Sequence, residues 1–176
     1  MSKRGTAGQV LPYREVNVSE DGEILVHGHT RFQGYVHGDR LEEPFDENGW
    51  FGTGDIGYVD GDGYLMVTGR KDNMFMSGGE NIQPEEIEKA FCEVEGVADA
   101  IVVPIDDEEF GQRPVAFVQM LGGNGADQGI RDAVAESLPR FKIPDHILPW
   151  PENAGTIGIK PDRSALRTIA EKHLDG

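Results

Sequence analysis

The chain has 176 residues, of which 32 are acidic and 16 are basic, and its formal net charge is −16. Nucleic-acid-binding surfaces normally present a basic face, so this charge argues against a nucleic-acid partner. The single cysteine, Cys92, excludes an internal disulfide framework and a multi-cysteine zinc site. No apolar run is long enough to span a bilayer, and the start lacks a signal-peptide core, so we expect a cytoplasmic protein without a membrane partner.

Short apolar or alternating runs separated by Gly, Asp and Asn occupy residues 8–68. The runs at 16–18, 23–26 and 64–68 have the composition and the alternation of short β-strands. Asp21-Gly22 and the stretch 60–63 are typical of tight hairpin turns. The first part of the chain is therefore predicted to be a small antiparallel β subdomain.

Helices and strands are predicted to alternate after residue 72. Pro84, followed by Glu85 and Glu86, favours a helix start, because proline suits the first turn and carboxylates suit the positive end of the helix dipole. Further elements are predicted from apolar periodicity and capping residues. They are strands at 97–103, 114–121 and 146–148, a helix at 127–138, and a helix capped by Asp162 that runs from 163 to about 173. This order, βαββαβα, indicates a small α/β domain of two or three layers.

Residues 69–88, GRKDNMFMSGGENIQPEEIE, place charged, glycine-rich and helix-initiating segments in direct succession. This stretch resembles the hinge and the following loop of adenylate-forming enzymes, the superfamily of acyl-CoA synthetases, peptide-synthetase adenylation domains and luciferases. The stretches 50–55 (WFGTGD), 109–116 (EFGQRPVA) and 158–163 (GIKPDR) fall in the order which that family requires. Within the superfamily, these runs are similar to the o-succinylbenzoate–CoA ligase branch of menaquinone biosynthesis.

The resemblance implies an α+β fold in two parts. Residues 1–71 would be the β-rich tail piece of the family's large N-terminal domain. Residues 72–176 would be its complete small α/β C-terminal domain. The likeness covers nearly the whole chain but only the back end of such an enzyme.

Asp55 and Arg70 are the candidate nucleotide-binding residues. A carboxylate can accept hydrogen bonds from two neighbouring hydroxyls, and a guanidinium is a permanently charged fork suited to ribose and phosphate oxygens. The resemblance assigns Asp55 to the ribose and Arg70 to the nucleotide. The residues alone also allow a solvated turn aspartate and a surface ion pair.

Asp72 and the run Ser77-Gly78-Gly79-Glu80 are candidates for movement and CoA binding. By resemblance, Asp72 is the hinge about which the small domain rotates between adenylation and thioester formation. A short polar side chain that bonds its own backbone tolerates such a dihedral change. The loop of Ser77, Gly78, Gly79 and Glu80 would approach the active site in the thioester-forming state and leave room for the CoA thiol arm. Taken alone, a linker aspartate and an ordinary glycine turn explain the same residues.

Lys160 resembles the family's catalytic lysine, whose ammonium neutralises charge as the acyl-adenylate forms. Ile159 stands where most relatives have glycine directly before this lysine, although the Gly-Ile-Lys order fits the o-succinylbenzoate branch. We expect four cations to gather at the site, because ATP, acyl-adenylate and CoA are all anionic. They are Arg70, Lys71, Lys160 and Arg163. The five histidines show no metal-ligand spacing, so no metal site is predicted within this chain.

The resemblance therefore implies a C-terminal fragment of an ATP-, CoA- and Mg²⁺-dependent carboxylate–CoA ligase. Its reaction would convert o-succinylbenzoate, ATP and CoA to o-succinylbenzoyl-CoA, AMP and pyrophosphate, with the rest of the large domain as its partner. The family's ATP phosphate loop is not among these residues, so the chain alone is expected to be inactive. A non-catalytic partner-binding module and a ligase for another acyl substrate remain alternatives.

Overall fold

The computed structural model describes residues 3–122, 128–151, 156–157 and 160–174. The chain divides into two compact units, residues 1–72 and residues 73–176. That the first is the tail of a larger domain, and the second a complete small domain, stays a prediction. Within the described ranges, no helix is long and apolar enough to cross a membrane.

The first unit is built from antiparallel strands joined by tight turns. Five strands form one sheet in the order β1-β7-β6-β3-β2, and β4 pairs separately with β5. The turn before Glu23 and the turn before Tyr64 are the two predicted hairpins, with Gly22 and Gly63 at φ +84° and +80°. The seven strands are β1 Gly8–Gln9, β2 Arg14–Val18, β3 Glu23–Gly28, β4 Tyr35–His37, β5 Arg40–Glu42, β6 Phe51–Val59 and β7 Tyr64–Arg70.

The first unit buries little apolar surface of its own. Ile24 is the only apolar side chain that is fully buried in the described part of this unit. Ten large apolar side chains of the same unit are exposed, whereas a sheet of this size normally packs one face against a core. They are Val10, Leu11, Tyr13, Phe32, Tyr35, Val36, Leu41, Tyr58, Val59 and Val67.

The second unit alternates strands and helices, as predicted. A 3-10 turn, Lys71–Asn73, spans the boundary between the two units in the sequence. The elements that follow are β8 Phe75–Ser77, β9 Glu80–Ile82, α1 Pro84–Cys92, β10 Val97–Asp107, β11 Gly111–Met120, α2 Gln128–Ala135, β12 His146–Pro149, β13 Thr156–Ile157, β14 Lys160–Pro161 and α3 Arg163–Leu174. The central sheet has the order β10-β11-β12, with β10 antiparallel and β12 parallel to β11.

This sheet carries an apolar core on each face, because successive side chains of a strand point to opposite sides. On β10, Ala100 and Val102 join the cluster that contains Ile87 and Phe91 of α1 and Val134 of α2. Their neighbours join a second cluster on the other face, with α3. That cluster contains Ile101, Val103, Val115, Phe117, Leu148, Leu166 and Ala170. The second unit therefore has three layers, and the α+β class is confirmed.

Two local features differ from the sequence predictions. Helix α2 ends at Ala135 and not at Leu138, because the residue before Pro139 disfavours the helical conformation. Strand β6 was not predicted, since three glycines interrupt its apolar pattern. The run Ser77-Gly78-Gly79-Glu80 forms a turn, as the glycine-turn alternative predicted, and its role toward CoA stays a prediction. The turn is a tight hairpin between β8 and β9, with both glycines at positive φ.

Candidate functional site

Asp55 and Arg70 are direct neighbours across two antiparallel strands. The register of β6 and β7 pairs these two residues, although 15 positions separate them in the sequence. Nη1 of Arg70 donates to Oδ1 of Asp55 at 2.9 Å and to the carbonyl oxygen of Thr53 at 3.1 Å. Both side chains are partly exposed, at 43% for Arg70 and 37% for Asp55. A carboxylate and a guanidinium thus lie side by side at the surface, where a ligand can reach them.

The part of β6 just before Asp55, where the pairing with β3 shifts its register, is held in place by hydrogen bonds to β3. The hydroxyl of Thr53 donates to the carbonyl oxygen of Ile24 at 2.8 Å and accepts from the N–H of Asp55 at 3.1 Å. The N–H of Gly54 donates to Oε1 of Glu23 at 3.0 Å. Gly54 has φ +71°, and a Cβ there would lie 3.1 Å from Nη2 of Arg70. The positive φ therefore favours glycine here, and any larger side chain would also crowd the Arg70 guanidinium.

Lys71 connects the end of β7 to the start of β3. Its ammonium donates to Oδ2 of Asp21 and to Oε2 of Glu23, both at 2.7 Å. The ammonium lowers the pKa of Asp21 to about 2 and also lowers the pKa of Glu23. The two carboxylates in turn raise the pKa of Lys71. The sequence led us to expect Lys71 among the cations facing an anionic ligand, but here its charge is balanced by two carboxylates of the same unit.

Asp72 lies beside the Asp55–Arg70 pair. One of its carboxylate oxygens is 3.5 Å from Nη2 of Arg70, and its side chain is 82% exposed. It belongs to the 3-10 turn at the end of the first unit. The structure thus brings Asp55, Arg70 and Asp72 together, while the hinge function of Asp72 stays a prediction.

The hairpin turn from Ser77 to Glu80 packs against the β10–β11 hairpin within the second unit. The N–H of Gly78 donates to the carbonyl oxygen of Phe110 at 2.9 Å, and a Cβ on Gly78 would lie 3.1 Å from the Phe110 ring. The guanidinium of Arg113 lies 4.8 Å from the centre of that ring. Ser77 is 2% exposed, and among the described residues its hydroxyl has no hydrogen-bond partner. The supporting contact from Phe110 was not predicted, although its motif had been noted.

Lys160 and Arg163 flank the start of α3. The backbone of Lys160 forms the short β14 strand, paired with Ile157, but its side chain lies outside the described part of the structure. Arg163 was expected to face an anionic ligand. Instead its guanidinium binds both carboxylate oxygens of Glu88, at 2.7 and 3.0 Å, and the carbonyl oxygen of Val102 at 2.6 Å. Arg163 is therefore part of the internal structure of the second unit.

Two further features bear on ligands. Across the described residues, no group of three or more His, Cys, Asp or Glu side chains is placed to hold a metal ion. An open cleft of about 570 Å³ in the first unit is lined by other residues than the site candidates, among them Glu15, His27, Arg31 and Phe45. Neither feature adds a residue to the site around Asp55.

Comparisons with known proteins show what this chain is similar to. Residues 86–154 match the model of the AMP-binding enzyme C-terminal domain. The chain is 40% identical over 174 residues to 2-succinylbenzoate–CoA ligase of Listeria innocua, and 39% identical over 160 residues to that of Salmonella typhimurium. These matches cover 98% and 91% of this chain but 36% and 34% of the relatives. The chain therefore spans about a third of the length of the curated relatives it matches.

Solved structures show the same correspondence in three dimensions. The chain superimposes with a TM-score of 0.82 and 32% identity on E. coli MenE, solved with a bound analogue of OSB-AMS. The superposition covers 97% of this chain and 36% of the E. coli protein. Bacillus subtilis o-succinylbenzoate CoA synthetase, solved in complex with the acyl-adenylate intermediate OSB-AMP, gives a TM-score of 0.72 at 33% identity over 84% of this chain and 32% of that one. This chain therefore belongs to the adenylate-forming, AMP-binding enzyme family and corresponds to its C-terminal part.

Proposed function

We propose that this chain supplies the nucleotide-binding pair, the hinge and the catalytic lysine of an AMP-forming acid–thiol ligase that acts on 2-succinylbenzoate. The carboxylate of that substrate attacks ATP to give an acyl-adenylate and pyrophosphate, and the thiol of CoA then displaces AMP. The observation that supports the proposal most strongly is the pairing of Asp55 with Arg70 on adjacent strands. Nη2 of Arg70 also lies 3.5 Å from a carboxylate oxygen of Asp72. The relatives named above carry this activity in their names.

Asp55 and Arg70 have the chemistry that a ribose requires. A carboxylate can accept hydrogen bonds from both hydroxyls of a vicinal diol, and Arg70 holds the Asp55 carboxylate in place from one side. Arg70 is anchored in turn by the carbonyl oxygen of Thr53. The pair is thus oriented before a nucleotide arrives, which lowers the cost of ordering it on binding.

Lys160 acts in the first step. Charge develops on the reacting carboxylate and on the α-phosphate as the acyl-adenylate forms, and a nearby ammonium stabilises that charge. Its flexible stem can reach both groups. The segment Ser77–Glu80 is proposed to serve the second step, in which two adjacent glycines leave room for the CoA thiol arm.

The rest of the ligase is the proposed partner of the first unit. This unit exposes ten large apolar side chains and fully buries one, Ile24, in its described part, so it needs another surface to cover it. The complete enzyme would use ATP, CoA and Mg²⁺ in the cytoplasm. In that enzyme the remaining polypeptide supplies the phosphate contacts.

The test is product formation by the complete enzyme that contains this chain. With 2-succinylbenzoate, ATP, Mg²⁺ and CoA, we expect 2-succinylbenzoyl-CoA, AMP and pyrophosphate in equal amounts, measured by liquid chromatography and mass spectrometry. Asp55→Asn removes a charged acceptor, so kcat/KM for ATP should fall about 10- to 100-fold. Asp39→Asn, at an exposed turn residue of the same unit, is the matched control and should leave the rate unchanged.

Three results would contradict the proposal at different levels. Failure to form any acyl-CoA from 2-succinylbenzoate or from a panel of other carboxylic acids would exclude the ligase. Turnover of a different acid in that panel would keep the ligase and exclude the assigned substrate. Equal rates for Asp55→Asn and Asp39→Asn would exclude the ribose role of Asp55.

A further inference from the structure

Arg163 lies at the centre of a partly buried polar cluster in the second unit. It forms a two-pronged ion pair with Glu88 of α1, and its side chain and that of Glu88 are 28% and 14% exposed. It also donates to the carbonyl oxygen of Val102, while the N–H of Val102 donates to Oε1 of Glu88 at 2.8 Å. Arg163 therefore ties the first residue of α3 to both α1 and β10.

The cluster continues toward the hinge. Nη2 of Arg163 lies 3.4 Å from Oε1 of Glu85, which also accepts a hydrogen bond from the side-chain amide of Asn73. Asn73 directly follows Asp72, the proposed hinge. A continuous set of contacts, all within the second unit, thus runs from Asn73 through Glu85 to Arg163.

Arg163 is three residues beyond Lys160, and the chain between them has little freedom. Three residues span at most about 10 Å even when fully extended, so fixing Arg163 confines the backbone of Lys160. Pro161 has a fixed φ. Asp162 caps α3 by accepting from the N–H groups of Ser164 and Ala165, at 2.9 and 3.2 Å.

We propose that Arg163 is a positioning residue that, by its paired contacts with Glu88 and Val102, holds the segment carrying Lys160 in the place where the lysine can act. The inference rests on the proposed function of Lys160. The charge of Lys160 speeds the reaction only if its backbone is held in position, because a misplacement of about 1 Å can lower the rate about a hundredfold. Burial raises the pKa of Glu88 and the guanidinium of Arg163 partly offsets this, so the cluster needs both partners.

The test compares three variants of the complete enzyme in the two half-reactions. Arg163→Met alone leaves Glu88 buried without its partner, so Glu88→Leu/Arg163→Met is made as well, because exchanging both members of a buried pair for apolar residues is often tolerated. Arg167→Met is the matched control. It lies one turn later on the same helix and also loses two carboxylate partners, Glu171 and Asp106.

We expect the double variant to slow pyrophosphate release about 10- to 100-fold, with CoA attack on supplied acyl-adenylate nearly unchanged. Arg167→Met should match the wild type in both. The triple variant with Lys160→Ala should adenylate no more slowly than Lys160→Ala alone, because the contacts of Arg163 affect the rate only through that lysine. Arg163→Lys should restore the rate only in part, since an ammonium cannot replace the fork.

Equal losses in both half-reactions, or full additivity with Lys160→Ala, would overturn the inference and leave Arg163 a purely structural residue. Hydrogen exchange of the peptide 160–166 gives a readout that needs no substrate. Exchange should be faster in Glu88→Leu/Arg163→Met than in Arg167→Met, and equal exchange would contradict the proposal that Arg163 restrains this segment. A wild-type enzyme that makes no acyl-adenylate would instead refute the proposed function. The exchange data would still decide whether Arg163 restrains the segment that carries Lys160.

Discussion

At the scale of single residues, Gly78 and Gly79 test how the hairpin turn is supported. Both have positive φ, +57° and +86°, so alanine at either position pays a backbone cost of about 1–2 kcal/mol. Only Gly78 has a neighbour in the way, since its Cβ would lie 3.1 Å from the Phe110 ring while nothing lies within 4 Å of Gly79.

Gly78→Ala should therefore lower the free energy of unfolding by about 1 kcal/mol or more beyond Gly79→Ala, because the added methyl group overpacks the contact. Urea unfolding of the chain, followed by circular dichroism, measures both variants, and Phe110→Ala should remove the difference between them. Equal stabilities for the two single variants would show that the Phe110 ring does not restrict residue 78.

The residues of the site differ in how far the sequence alone could identify them. Asp55, Arg70 and Asp72 were found because they stand in motifs with a recognisable order. Their contacts were not predictable, since pairing Asp55 with Arg70 depends on the register of β6 and β7. The partners of Arg163 were also not predictable from the sequence, because Glu88 lies 75 residues away along the chain.

At the scale of elements, Lys71 stabilises the junction of β3 with the end of β7 in a pH-dependent way. The carboxylates that face it are Asp21 and Glu23, and both have a lowered pKa because of the Lys71 ammonium. A carboxylate whose pKa is lower in the folded state stabilises that state above its unfolded pKa and loses this effect as the pH falls through its folded pKa. For Asp21 the window runs from 3.8 down to about 2.

Lys71→Met should therefore destabilise the chain at pH 7, and the deficit relative to the wild type should shrink as the pH falls from about 5 to about 2. Urea unfolding at several pH values measures the deficit. Lys172→Met, on the exposed face of α3, is the control and should show no deficit at any pH. A deficit for Lys71→Met that stays constant or grows toward pH 2 would contradict the assigned ion pairs.

Elements with strong local signals were predicted and those interrupted by glycine were not. Helix α1 starts at Pro84 as expected, and β10 and β11 follow the predicted apolar runs. Strand β10 extends to Asp107, beyond its apolar part, because its partner β11 continues the ladder as far as Gly111. Pairing with a neighbouring strand thus sets the length of a strand where composition does not.

At the scale of the whole molecule, the two units differ in how they are stabilised. The second has two apolar clusters, one on each face of its sheet, whereas the described part of the first fully buries one apolar side chain. The chain spans 36% of its Listeria relative. We expect this 176-residue polypeptide, without further chain, to release no pyrophosphate from ATP with 2-succinylbenzoate and Mg²⁺, because the preorganised phosphate contacts are not among its residues.

A coupled pyrophosphate assay measures this directly, with the complete enzyme as the positive control. Sustained turnover by the 176-residue polypeptide would show that the phosphate contacts lie within it. The fold class and the family were predicted from the sequence, whereas the exposure of ten large apolar side chains on the first unit was not.

Under the proposed function, one small domain serves both half-reactions by turning about Asp72. The variant Asp72→Pro in the complete enzyme tests this most directly. Proline fixes φ near about −65° and removes an N–H, so it should hold the domain in one placement without unfolding either part. We predict adenylation close to the wild-type rate, thioester formation reduced by about a hundredfold or more, and a cooperative thermal transition near that of the parent. Wild-type rates in both half-reactions would contradict the claim and place the pivot elsewhere, with Lys71 and Asn73 the next positions to substitute.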